Sequence, residues 1–148
     1  PPSPFAERFA QGGTFRLREE SGGYLSCKGE GYGRTCLEGG APEAEDEDRL
    51  WVVSALFPDG TFKLENVLFG LGLCAHYRFM GDPCLFCHLR SSSDDQIWRC
   101  EPVQPGGPGI FRLRNNHVTT WGPNWRWRLV PAGLVRESAT LRARARAM

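Results

Sequence analysis

The stretch from Phe62 to Trp98 repeats the plan of the stretch from Phe15 to Trp51, and this duplication restricts the fold more than any single motif. Phe15-Arg16-Leu17 opens one copy and Phe62-Lys63-Leu64 opens the next. Each opening Phe is followed 12 positions later by a cysteine, Cys27 or Cys74, and 36 positions later by a tryptophan, Trp51 or Trp98. A third opening, Phe111-Arg112-Leu113, is closed by Trp127 after only 16 positions. Two full copies and one shortened copy thus start 47 and 49 residues apart, a period that signals a repeat architecture.

Within the copies the local pattern is that of strands. Phe15 and Leu17 alternate with Arg16 and Arg18, the period of a half-buried strand. Gly22-Gly23, Gly29 to Gly33 and Pro58-Asp59-Gly60 mark turns. Between them the pattern predicts strands at Tyr24–Cys27, Thr35–Leu37 and Leu50–Val53. The second copy repeats the order with Phe62–Glu65, Leu73–His76, Leu85–Leu89 and Ile97–Cys100. The third has Phe111–Arg114, a short middle around Val118–Trp121 and Trp125–Val130, so its central hairpin reads as clipped.

Four strands per copy in three copies make an all-β chain whose units cannot bury an inner face alone. Three such units around a pseudo-threefold axis close a core and remove most sheet edges, which is a β-trefoil. An up-and-down or Greek-key barrel is the alternative, and three propeller blades fall below the usual minimum. The expected layout is an N-terminal arm over 1–13, the trefoil over 14–131 and an Arg-rich tail over 132–148. The repeats within the trefoil span about 14–60, 61–109 and 110–131. At 148 residues the chain is long enough for one real core, and no apolar run approaches the ~20 residues of a transmembrane helix. The start at Pro1-Pro2-Ser3-Pro4 reads as a removed leader or a trimmed chain.

The net charge of +1 hides an asymmetry: from Gly106 onward eight arginines stand against one acid, Glu137. Such a chain suits an oriented acidic partner, a phosphate or sulfate surface, or another copy of itself. The opposite run, Glu43 to Asp48, lacks the spaced ligands and glycine of a calcium loop and reads as solvated. Trp121, Trp125 and Trp127 interleave with Arg112, Arg114, Arg126 and Arg128, a composition that can stack sugars, bases or anions, or simply alternate core and solvent.

The six cysteines are Cys27, Cys36, Cys74, Cys84, Cys87 and Cys100. Repeat symmetry selects Cys27–Cys36, Cys74–Cys84 and Cys87–Cys100 from the 15 possible pairings, each spanning a hairpin. Buried free thiols in a reducing compartment are the alternative. Two rival readings use the same residues. Cys84-Leu85-Phe86-Cys87-His88 has the form of a haem-attachment string, and Cys74, His76, Cys84 and Cys87 are a workable zinc set. Neither cofactor nor metal is expected, because the string aligns with a repeat strand and the first copy has no matching ligands. No nucleophile–base pair, phosphate-cradling loop or forced carboxylate pair is visible, so the chain is not expected to be an enzyme.

Gln96-Ile97-Trp98 resembles the Gln-x-Trp of ricin B-type lectins, which recurs near the fourth strand of each repeat. Arg49-Leu50-Trp51 and Trp125-Arg126-Trp127 keep the Trp alone. The resemblance covers roughly Thr14 to Pro131 and implies a trefoil binding module whose tryptophans pack in the core. It points to carbohydrate ligands at Asp94, Asp95 and Gln96 in the second copy, and at Asn115, Asn116 and Trp121 in the third. The expected partner is a carbohydrate or glycoprotein, with no nucleic acid, and the expected location is secreted or lumenal. The alternative is a structural subunit, intracellular or organellar with reduced cysteines, gripping acidic protein neighbours through its arm and basic tail. A heparin-like or other acidic ligand on the basic third copy is the remaining reading.

Overall fold

A computed structural model of the protein describes residues 13–39, 46–77, 83–103, 109–119 and 126–132. Residues 1–12 and 133–148 of the expected arm and tail, residues 43–45 of the acidic run, and Trp121 lie outside the described residues.

Ten strands lie among the described residues: β1 (Phe15–Glu19), β2 (Tyr24–Cys27), β3 (Thr35–Glu38), β4 (Trp51–Leu56), β5 (Phe62–Asn66), β6 (Gly72–Tyr77), β7 (Pro83–His88), β8 (Trp98–Pro102), β9 (Ile110–Asn115) and β10 (Trp127–Pro131). All pair antiparallel. Following the pairings β1–β4–β5–β8–β9–β10 and back to β1 closes a six-stranded barrel. The hairpins β2–β3 and β6–β7 extend from it. This is the β-trefoil expected from the internal repeat. Among the described residues the third copy contributes only β9 and β10, with no strand over 116–119. No helix among them is long and apolar enough to cross a membrane.

The barrel is held by one residue set used around its ring. Phe15 pairs with Trp51, Phe62 with Trp98 and Phe111 with Trp127. Each Trp in turn faces a polar residue: Trp51 faces Asn66, Trp98 faces Asn115 and Trp127 faces Glu19. The six aromatics and Leu17, Leu64 and Leu113 are buried in one cluster. Each opening Phe-x-Leu therefore puts its two apolar side chains on the inner face, as alternation requires. The Trp51 indole donates to Leu25 O (3.0 Å) and the Trp98 indole to Leu73 O (2.8 Å), satisfying buried polar groups that would otherwise be orphaned.

Two 3₁₀ turns that the strand pattern did not announce, Glu47–Arg49 and Asp94–Gln96, feed Trp51 and Trp98 into the barrel. Each is tied by an asparagine from the facing strand. Asn66 donates to Asp48 O (3.0 Å) while its Oδ1 accepts from Leu68 N and Phe69 N (both 3.1 Å). Asn115 donates to Asp95 O (2.8 Å) and accepts from His117 N (2.9 Å) and Val118 N (3.0 Å).

The expected cysteine pairing is corrected by the register. All six cysteines are thiols. Cys36 faces Ser26 and Cys27 faces Thr35, so Cys27 is buried while Cys36 is exposed. Cys74 faces Phe86, Cys84 faces His76, and Cys87 and Cys100 face Leu73 and Leu113. The matching indole bonds at Leu25 and Leu73 show why: the second copy has one more residue before its second strand than the first. Cys27 thus corresponds to Ala75, and a slip of one residue turns every side chain of a strand to the opposite face. The same alternation separates Cys84 from Cys87 on β7, so the haem-type string cannot present both thiols to one side. Cys87 looks into the core, whereas Cys74, His76 and Cys84 share the other face. Among the described residues no group of three or more His, Cys, Asp and Glu side chains is placed to hold a metal ion.

Candidate functional site

The tight turn between β4 and β5 builds one wall of a surface groove. Pro58-Asp59-Gly60 reverses the chain with Gly60 at φ 89°, a conformation that side-chain-bearing residues rarely adopt. Phe57 N donates to Thr61 O (2.8 Å) and Gly60 N to Phe57 O (3.0 Å). The Asp59 carboxylate accepts from the Thr61 hydroxyl (2.6 Å) and the Thr61 amide (2.9 Å). These bonds hold its carboxyl below the usual carboxylate range and fix its direction.

The opposite wall is the segment 90–97. A groove of about 540 Å³ lies between them, lined by Phe57, Pro58, Asp59, Thr61, Lys63, Ser92 and Ile97. Lys63 also lines an adjoining hollow of about 400 Å³ with Ser54, Ala55, Arg90 and Ser91. A register shift between Val53 and Ala55 accompanies that hollow and leaves Ser54 exposed, as bulges commonly re-aim a side chain. The Lys63 ammonium donates to Ser91 O, joining the two walls. Arg90 lies 3.2 Å from Glu65, whose side chain is 5% exposed.

Gln96 organises the second wall from beneath. It is buried, accepts from Ser91 N (3.0 Å) and donates to Leu89 O (2.7 Å), so one side chain pins both ends of the 89–91 turn. It lies against Gly72, where an added Cβ would sit 2.6 Å from Gln96 Oε1. In the first copy Arg49 occupies the same place before Trp51 and donates to Gly39 O (3.4 Å), with Glu38 (3.5 Å) and Asp46 (3.9 Å) beside its guanidinium. The Gln of one copy and the Arg of the other make the same kind of contact.

The residues singled out from sequence fall in one neighbourhood. Asp94 is exposed on the 3₁₀ turn, Asp95 is half-buried with its Oδ1 unpartnered, and Gln96 is committed to the loop backbone. Asn115 is buried and committed to Asp95 O and the following turn, while Asn116 is exposed and its amide donates to Ile97 O (3.0 Å). Residues from the second and third copies are thereby brought together beside the groove, through Asp95–Asn115 and Ile97–Asn116. Trp121 lies outside the described residues. Phe57, Pro58, Asp59, Thr61 and Lys63 were not among the candidates. Their signal was the Pro-Asp-Gly turn, legible as a chain reversal but not as the wall of a groove.

No family model matches the sequence, and no curated protein matches it. Solved structures do match in fold. BEL β-trefoil has 16% identity and a TM-score of 0.64, over 82% of this chain and 94% of that one. SeviL bound to asialo-GM1 saccharide has 18% identity and a TM-score of 0.59, over 82% of this chain and 98% of that one. The exo-β-1,3-galactanase 1,3Gal43A from Clostridium thermocellum has 16% identity and a TM-score of 0.64, over 84% of this chain and 31% of that one.

Proposed function

We propose that this chain is a non-catalytic, lectin-like module that binds carbohydrate in the groove between Pro58-Asp59-Gly60 and Ser91–Ile97. The observation that carries the reading is the mixture of surfaces in that groove. Phe57, Pro58 and Ile97 offer an apolar wall, and Asp59, Lys63 and Ser92 stand around it as acceptors and donors. A sugar ring presents the same mixture, a C–H face and a rim of hydroxyls, and small-ligand sites combine apolar walls with a few placed polar groups. Asp94 and Asn116 extend the polar rim, and Gln96 and Asn115 hold it in place. The matches to SeviL and 1,3Gal43A in fold support the reading at the level of the scaffold. A secreted or lumenal location goes with it.

A glycan array on the purified chain tests this, followed by titration of Asp59→Asn with any hit. Asn keeps an oxygen for the Thr61 bonds and removes the charge, so binding should fall about tenfold or more while the protein stays folded. An array without hits, or wild-type affinity in both Asp59→Asn and Phe57→Ala, would sink the proposal. The arginine bias after Gly106 favours a second reading, a subunit gripping acidic neighbours through residues 133–148. Under that reading deletion of 133–148, not substitution of Asp59, abolishes the interaction.

A further inference from the structure

Cys27 and Cys87 come from different copies and meet inside the core. Cys27 ends β2 and faces Thr35 across the first hairpin, and Cys87 sits on β7 facing Leu73. Both have 0% exposure and belong to the same buried cluster. The tip of the first hairpin brings them together. Gly31 bridges to Cys87, with Gly31 N donating to Cys87 O at 2.9 Å. Thr35 Oγ1 donates to Cys87 Sγ at 3.4 Å, so Cys87 lies over the Cys27–Thr35 pair. Outside the core the Tyr32 ring packs on Phe86 at 4.6 Å, and Glu30 lies 3.9 Å from His88.

From this placement we infer that Cys27 and Cys87 are a dithiol that closes to a disulfide between the first and second copies. Cys27 Sγ donates to Gly29 O at 3.4 Å, and Cys87 Sγ takes its hydrogen bond from Thr35, the residue that faces Cys27. The Cys87 thiol beside it holds Cys27 below the ordinary thiol range although burial opposes the change, and Cys27 together with burial pushes Cys87 up. The other four are differently placed: Cys36 is exposed on the outer face of its hairpin, Cys74 is buried outside the main cluster with its thiol donating to Gly72 O at 3.4 Å, Cys84 faces His76 and Cys100 faces Leu113.

The oxidant is a low-molecular-weight disulfide such as glutathione disulfide. One cysteine thiolate attacks it, expelling one glutathione thiolate and forming a mixed disulfide. The second cysteine thiolate attacks the protein sulfur of that mixed disulfide and expels the other glutathione. The two cysteines lose two protons and two electrons, and the oxidant leaves as two glutathione thiols. Because both sulfurs are buried, exchange takes place while the first hairpin is off β7, during folding. The bond closes a loop of about 60 residues between non-adjacent strands, the kind of link that most restricts an unfolded chain. This inference stands independently of the sugar-binding proposal.

The test is refolding of the full chain in a glutathione/glutathione-disulfide buffer. An N-ethylmaleimide quench and digestion with trypsin and chymotrypsin follow, the latter to cut between Phe86 and Cys87. The expected result is one linked peptide pair containing Cys27 and Cys87, with Cys36 and Cys74 carrying the label. The oxidised protein should melt about 10 °C above the same sample after reduction. Cys36→Ser should leave the link and the shift intact, whereas Cys27→Ser should abolish both. Six labelled cysteines after equilibration, or a link that uses any cysteine other than Cys27 and Cys87, would overturn the inference, and the wild-type map decides this even if Cys27→Ser does not fold.

Discussion

The contact between Gly72 and Gln96 lets the second wall of the groove be tested by a single methyl group. A Cβ at position 72 would lie 2.6 Å from Gln96 Oε1 and 3.0 Å from its Cδ, so one of the two must yield. Gln96 is poorly able to: it is 3% exposed and holds Ser91 N and Leu89 O together. Moving it aside loses two hydrogen bonds at about 1 kcal/mol each and strands partly buried partners, for about 3 kcal/mol. Replacing Gly by Ala returns about 0.5–1 kcal/mol through the unfolded chain. Gly72→Ala should therefore destabilise the protein by about 2 kcal/mol, a fall of roughly 6 °C in a domain of this size.

Urea unfolding of a double-mutant cycle decides whether this reasoning holds. Gln96→Ala alone should be destabilising, because it removes both loop bonds. In that background the obstacle is gone, so adding Gly72→Ala should be neutral or slightly stabilising. The coupling between the two sites is then about 2 kcal/mol, within the range for residues in direct contact. A Gly72→Ala penalty of the same size in both backgrounds would mean that the backbone at position 72, not the glutamine, demands glycine. A neutral Gly72→Ala in the wild-type background would show that Gln96 is not pinned at all.

Three further outcomes follow from the same geometry. Trp98→Phe removes the donor to Leu73 O and part of a fully buried ring, and should cost about 2–3 kcal/mol in urea unfolding. The Lys28 ammonium, 3.0 Å away, holds Glu38 below the usual carboxylate range. Its contribution is therefore present above the unfolded Glu pKa and lost as pH falls through the lower folded value. Screening limits it to under about 1 kcal/mol, and wild type and Glu38→Gln should converge in stability in strong acid. Timed alkylation of the reduced protein should label exposed Cys36 first, whereas Cys74, whose thiol burial pushes up to about 12, should react only on unfolding.

Much of the fold was legible because the barrel depends on residues whose spacing survives in the sequence. Phe15, Phe62 and Phe111, with Trp51, Trp98 and Trp127, mark the cross-strand pairs directly. The hairpins were less legible because insertions accumulate in turns. An extra residue between Asn66 and Leu73, offset by one fewer between Leu73 and Trp98, leaves Phe-to-Trp distances equal in both copies while shifting β6 by one, and the cysteine alignment failed on that shift. The 3₁₀ turns went unread because their cause is tertiary: Asn66 and Asn115 reach them from another strand. The groove was hidden for the same reason, since Asp59 and Ser92 meet only once β5 and β8 have paired.

Where the copies agree, they build the barrel; where they differ, they make surfaces that cannot be equivalent. Before Trp51 the loop is clamped by Arg49, in a network with Glu38 and Asp46 that also places Lys28 next to Asp48. Before Trp98 the neutral Gln96 clamps the loop through its backbone, with Lys63 donating to Ser91 O and Arg90 paired with Glu65 beside it, and Ser92, Ser93 and Asp94 stay exposed without an ion pair among the described residues. A loop clamped by ion pairs spends its charges internally, whereas one clamped by an amide keeps its hydroxyls and carboxylates available to a ligand. On this argument the described copies are unequal surfaces, and the proposed carbohydrate site falls in the second. Exchanging the two clamps, Gln96→Arg with Arg49→Gln, should keep the barrel while disturbing ligand binding at the second copy, and a binding curve unchanged by that exchange would refute the argument.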